Sequence, residues 1–151
     1  MKEIASPCEG KILPLIEFPD EIIADGTMGD GFTVMLSGNK IVSPFDGTVA
    51  VLYPTGHAVC LESDDGVQMM IHIGAETYAL QGLNHACVKA GQSVKKGDLL
   101  IRTDVRKMKR KTGSSAAAVV FLNGEKVTAL RENKDVKCLD PAAEIQENDH
   151  V

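Results

Sequence analysis

Apolar residues along this chain fall in short runs, and polar turn-forming clusters separate them. The β-rich runs are Phe32–Leu36, Thr48–Tyr53, Ala58–Leu61, Val67–Ile73, Leu99–Ile101 and Ala117–Leu122. Between them stand Asp25-Gly26, Ser43-Pro44-Phe45-Asp46-Gly47, Tyr53-Pro54-Thr55-Gly56, Ser63-Asp64-Asp65-Gly66 and Asn123-Gly124. Short strands at regular spacing, broken by such turns, predict an all-β fold: an antiparallel β-sandwich or barrel-sandwich with little helix. One helix candidate is Asp104–Lys111, with Asp104 placed as an N-cap. Its run of Lys107, Lys109, Arg110 and Lys111 has little apolar content, which favours a solvated surface turn instead. Residues 131–151 are polar and charge-rich, and read as a last strand or loop followed by a flexible tail. The expectation is a single domain over residues 1–151 with a core spanning about residues 4–130.

Composition narrows the function classes. With 151 residues the chain has one domain's worth of sequence. Lys+Arg is 16 and Asp+Glu is 21, a net charge of −5. That disfavours a general nucleic-acid binder, whose affinity comes from neutralising phosphates with cations. No apolar run is long enough to span a membrane, so no direct membrane insertion is expected. The segment Met1–Pro7 has no apolar signal core, so the expected location is the cytoplasm. Cys8, Cys60, Cys87 and Cys138 are widely spaced and form no Cys-x-x-Cys pair. They read as reduced thiols.

The candidate chemistry lies in the histidines. His150 stands in the tail, and His85 follows Gly82-Leu83-Asn84 as a loop residue. His72 interrupts the apolar strand Val67–Ile73. Alternation puts Met70, His72 and Gly74 on one face, and Met69, Ile71 and Ile73 on the other. The turn Ser63–Gly66 joins this strand to the one after His57. A turn centred between Asp64 and Asp65 sets His57 directly across from His72, with Cβ atoms roughly 4.5–5.5 Å apart. A turn centred on Asp65-Gly66 sets them diagonally on the same face. An odd-length loop or a bulge would separate them.

Such a pair has three readings: two ligands of a metal site that lacks a third, a nucleophilic imidazole with a second imidazole stabilising developing charge, or a structural pair. Gly56, Gly66 and Gly74 flank the pair, and small residues admit a bulky phosphate or a second backbone, which favours the second reading. Thr55 points to the same face as His57 if the strand is regular. Its hydroxyl could then select the His57 tautomer.

With those residues in view, the chain resembles the glucose-type enzyme IIA of the bacterial phosphoenolpyruvate-dependent sugar phosphotransferase system. The likeness runs from about Ala5 to Glu125. It is carried by Ser43–Val49, Thr55-Gly56-His57-Ala58, Glu62–Gly74 and Ala90–Asp98. The resemblance implies that His72 is the residue phosphorylated, on Nε2, with HPr as donor and a cysteine of a permease IIB domain as acceptor. It implies that His57 hydrogen-bonds the phosphoryl group and Thr55 orients His57. Asp20 and Glu76 match acidic positions beside the site that face a basic rim on partners. Ile22, Ile23, Met28, Tyr53, Met70 and Tyr78 are the candidates for an apolar ring around the histidines. No cofactor is required. A zinc ion held by His57, His72 and a partner's carboxylate is conceivable in a regulatory complex, and regulated transporters or kinases are further candidate partners.

The chain departs from the family pattern at Ala75, Glu76 and Tyr78 and in the basic stretch Arg106–Lys111. It also starts without the N-terminal extension of some free-standing members, as either a short stand-alone protein or a domain cut from a fused permease would. Two rivals share parts of the pattern. Ser43–Val49 and Gly91–Asp98 also resemble biotinyl and lipoyl carrier domains, with Met108-Lys109 near the modified lysine, but such domains are shorter and need no histidine pair. A zinc-dependent peptidase of similar architecture would need a third ligand, and no His-x-His is present.

Overall fold

A computed structural model describes residues 2–75, 77 and 80–147. In chain order the strands and helices are β1 (Lys2–Ala5), β2 (Cys8–Pro14), α1 (Glu21–Ala24), β3 (Gly31–Val42), β4 (Gly47–Leu52), β5 (Ala58–Ser63), β6 (Gln68–Ile73), β7 (Asn84–Ala86), β8 (Ser93–Val94), β9 (Leu99–Thr103), α2 (Val105–Thr112), β10 (Ala116–Phe121), β11 (Lys126–Leu130), β12 (Asp135–Val136) and β13 (Pro141–Gln146). A 3-10 turn, Leu15–Glu17, precedes α1. The predicted all-β antiparallel class is what the chain adopts.

A large curled sheet has the order β12-β2-β3-β10-β6-β5-β4-β8, and β1-β13-β11 form a second, smaller one. The long strand β3 produces the curl. Its first half pairs with β10, Met35 facing Ala116, and its second half pairs with β9, Ile41 facing Ile101. Ile12, Phe32, Ile41, Leu61, Met69, Ile71, Ile73, Ile101 and Phe121 fill the interior between the sheets, each at most 1% exposed.

The outer face of β6 and β10 carries a separate apolar layer. There the 3-10 turn and α1 lie over the sheet, and Leu15, Phe18 and Ile23 pack with Cys60, Met70, Ala116, Ala118 and Val120. The alternation read for β6 is therefore observed: Met69, Ile71 and Ile73 belong to the main core, and Met70 to the outer layer.

Three expectations change. The β5–β6 loop is odd in length: Ser63 N–H donates to the Val67 carbonyl at 2.8 Å, leaving Asp64, Asp65 and Gly66 between the strands. Gly66 takes φ +97, the left-handed position that a three-residue hairpin loop needs. His72 thus faces Ala58, one residue beyond His57. The Asp104–Lys111 stretch is a helix rather than a solvated turn. The Asp104 carboxylate accepts from Lys107 N–H at 3.0 Å, and a single fully buried side chain, Met108, anchors it. Past residue 130, β13 pairs with both β1 and β11, and Ala142, Ala143 and Ile145 are buried, so the core extends beyond the expected boundary.

Candidate functional site

His72 sits near the end of β6, with Ala118 of β10 on one side and Ala58 of β5 on the other. Both neighbours are small and buried, which leaves room above the sheet for an imidazole. After Ile73 the chain turns at Gly74 with φ +70. A Cβ there would come within 2.4 Å of the Thr77 methyl and 2.9 Å of the Met108 sulfur, so only glycine fits. The turn brings the Gly74 carbonyl back to 2.8 Å from Nδ1 of His72. A carbonyl oxygen only accepts, so Nδ1 carries the proton and Nε2 keeps its lone pair. Gly74 N–H is itself tied to the Ala116 carbonyl at 2.9 Å, and the Thr77 hydroxyl donates to the Ile73 carbonyl.

His57 precedes β5, at the end of the Pro54–Gly56 turn, so strand alternation does not govern its side chain. Its carbonyl accepts from Ile73 N–H at 2.7 Å, which anchors the loop to the end of β6. The register puts the two histidines one residue out of step, yet their ring centroids stand 5.4 Å apart, edge to face. The shared face expected from an even loop is reached instead through the turn. Nδ1 of His57 is hydrogen-bonded with the Thr55 hydroxyl, the contact expected for Thr55. When the hydroxyl donates, the ring proton sits on Nε2, which becomes a donor.

Four rings form a row: Tyr53 to His57 at 5.2 Å, His57 to His72 at 5.4 Å, and His72 to Phe18 at 6.0 Å. Burial lowers the His72 pKa, against the raising effects of the Gly74 carbonyl and the Asp20 carboxylate. Burial, and then the neighbouring His72, lowers that of His57. Both directions favour neutral imidazoles at neutral pH, the form in which Nε2 of His72 is nucleophilic. Among the described residues no three His, Cys, Asp or Glu side chains gather into a metal site.

Around the pair, Asp20 caps α1 by accepting from Ile22 N–H at 3.0 Å and Ile23 N–H at 3.4 Å. Ile22 is 62% exposed, Met28 40% and Tyr53 36%, open as a contact ring requires. Ile23 and Met70 are not: at 3% and 2% exposure they belong to the apolar layer under α1. α1 is a single capped turn, and the helical rotation sends one of its two adjacent isoleucines inward. Met70, two residues before His72 on the same face, lies where Leu15, Phe18 and Ile23 cover that layer. Glu76 and Tyr78 lie outside the described residues. An open cleft of about 760 Å³ adjoins the Gly74 turn, with Asp20, Ile22, Ala75, Leu80 and Lys111 among its walls.

The sequence reading missed Phe18, Met108 and the Gly74 carbonyl. Phe18 lies outside the β-rich runs, and a backbone acceptor leaves no mark in side-chain identity.

Residues 2–127 match the family model described as phosphoenolpyruvate-dependent sugar phosphotransferase system, EIIA 1. The chain belongs to this family. It is 37% identical over 135 residues, 88% of its length, to the "PTS system glucose-specific EIICBA component" of Staphylococcus saprophyticus. It spans 20% of that protein. Among solved structures it is similar to "glucose permease IIA from Mycoplasma capricolum", with a TM-score of 0.87 and 29% identity, covering 95% of this chain and 94% of that one. The chain is therefore a component of the sugar phosphotransferase system. No helix among the described residues is long and apolar enough to cross a membrane.

Proposed function

We propose that this EIIA unit accepts a phosphoryl group from phospho-HPr on Nε2 of His72 and passes it to a cysteine of a permease IIB domain. The observation that carries this reading is the Nδ1–H to Gly74 carbonyl bond, which leaves Nε2 unprotonated beside the His57 ring. The Nε2 lone pair attacks phosphorus, the N–P bond of the donor histidine breaks, and its electron pair returns to that imidazole. His72 keeps its Nδ1 proton, so the phosphorylated ring is cationic and the Gly74 carbonyl stabilises it. In the second step the cysteine thiolate attacks phosphorus and His72 leaves as a neutral imidazole. His57 donates from Nε2 to a phosphoryl oxygen, and Thr55 holds that tautomer. Phosphoryl transfer through a loose transition state asks for such positioning and charge stabilisation rather than further covalent help. Tyr53, Ile22 and Met28 supply apolar contact and Asp20 an acidic edge for the docked partner.

The test is intact mass after incubation with enzyme I, HPr and phosphoenolpyruvate. The expected product is one acid-labile phosphoryl adduct, absent in His72→Gln. An adduct that persists in His72→Gln, or no adduct on the wild-type chain, overturns the assignment.

A further inference from the structure

The eight residues of α2 carry Arg106, Lys107, Lys109, Arg110 and Lys111, five of the chain's 16 Lys and Arg, in a protein of net charge −5. Their spacing sorts them into two ridges. Arg106, Lys109 and Arg110 share one exposed face, and Lys107 and Lys111 the next. The third face holds Met108 in the core. Lys107 Nζ donates to the Gln81 carbonyl at 3.1 Å, and Lys111 reaches the cleft walled by Asp20 and Ala75.

Strand register extends the charge. Lys40 of β3 faces Arg102 of β9, and Arg102 faces His85 of β7, so two exposed cations and an exposed imidazole share one side of three strands. Asn39 Oδ1 accepts from Val105 N–H at 3.2 Å and joins the start of α2 to the residue beside Lys40. Among the described residues none of these cations is in an ion pair, since both salt bridges involve Lys2. Asp104, at the head of the helix, uses its carboxylate as the cap. Lys109, Arg110 and Lys111 stand in the last turn of α2, where cations suit the helix dipole, but like charges directly across strands oppose folding, so local stability does not account for Lys40 opposite Arg102.

We propose that this stripe is one half of a bipolar docking surface, and that a protein exchanging phosphoryl groups with His72 carries an acidic flank that lies along α2. The other half is the acidic side formed by Asp20 and Glu21. The inference rests on the phosphocarrier reading. A standard interface of about 800 Å² per partner is roughly 30 Å across, whereas α2 is only about 12 Å long. A partner seated over His72 therefore meets α2 as well, because Lys111 and Asp20 wall the same cleft. A lipid surface is the weaker occupant. An interfacial helix needs apolar side chains to bury in lipid, and the apolar anchor of α2 is already buried in the protein.

The experiment is rapid-quench phosphoryl exchange, from phospho-HPr to this chain and from this chain to IIB, across a range of salt. It compares wild type with Lys109→Gln/Arg110→Gln/Lys111→Gln and with the corresponding triple Glu variant. Electrostatic steering changes association by about 10–10³-fold. In at least one exchange the Gln variant is expected to be about tenfold slower with a flattened salt dependence. The Glu variant is expected to be slower still and to speed up with salt, an inversion that a damaged helix would not produce. Gln has nearly the helix propensity of Lys and Arg, so the Gln variant keeps the test valid if the Glu variant fails to fold. Wild-type rates and salt slopes in both exchanges overturn the inference. So does loss of cosedimentation with phosphatidylglycerol vesicles while exchange is unchanged, which assigns the stripe to lipid. A wild-type chain that takes no phosphoryl group fails at the earlier step and removes the phosphocarrier reading itself.

Discussion

His72 and His57 are neighbours held in opposite ways. His72 stands on a strand paired on both sides, and a main-chain carbonyl sets its tautomer. His57 stands in a turn, and a side-chain hydroxyl, itself both donor and acceptor, contacts its ring. The first arrangement locks one protonation pattern. The second can serve a neutral or a protonated ring by turning one hydroxyl. Under the proposed function, a ring that first takes up and then gives away a phosphoryl group benefits from the lock, and a ring that answers a changing charge benefits from the adaptable partner.

The comparison breaks at its strongest point if the two roles are interchangeable. His57→Gln should still accept phosphate from HPr but deliver it to IIB about 10²-fold or more slowly, the cost of removing one donor to a developing charge. Rapid-quench transfer to IIB at the wild-type rate would end the distinction.

Gly74→Ala tests the lock itself. It forces a Cβ against Thr77 and Met108 at a left-handed φ. We expect a loss of about 3 kcal/mol from strain and overpacking, or roughly 10 °C in Tm. The His72 Nδ1–H signal should shift with it. Thr55→Val tests the adaptable side. It removes one exposed hydrogen bond, worth about 1 kcal/mol, so transfer should slow by up to about tenfold with Tm nearly unchanged.

The smallest effect is on pH dependence. Both histidines have lowered values in the folded state. Above the ordinary value of about 6.5 neither folded nor unfolded chain binds these protons. As pH falls below it, the unfolded chain takes them up first, so stability declines down to the lowered folded values. Urea midpoints should fall between pH 7.5 and 5.5, and less so in the His57→Gln/His72→Gln double variant.

Much of the site was legible because it rests on local pattern. The β6 alternation put His72 on the correct face, and Thr55 lies two residues from the ring it contacts. The pairing of the histidines was reached by a route the fold does not take. Loop parity depends on one glycine conformation, and the turn before β5 restores the approach that the register denies. Ile23 and Met70 misled because an apolar residue beside a site looks alike whether it faces a partner or fills the layer beneath. The α2 helix was obscured by its charges, since one methionine and one cap suffice to seat it. At β13 the buried side chains are mostly alanines, too small to register as a hydrophobic run.

Lys2 faces Ile145 across β1 and β13, and its ammonium pairs with Asp65 in the β5–β6 loop. That loop lies at the other end of the hairpin from His72, roughly 20 Å of strand away. The edge formed by Lys2 and Ile145 therefore lies at the pole opposite His72. Lys2 and Ile145 are near enough for a short splice between them to give a circularly permuted chain whose new ends would have to be cut elsewhere, away from the histidine pair.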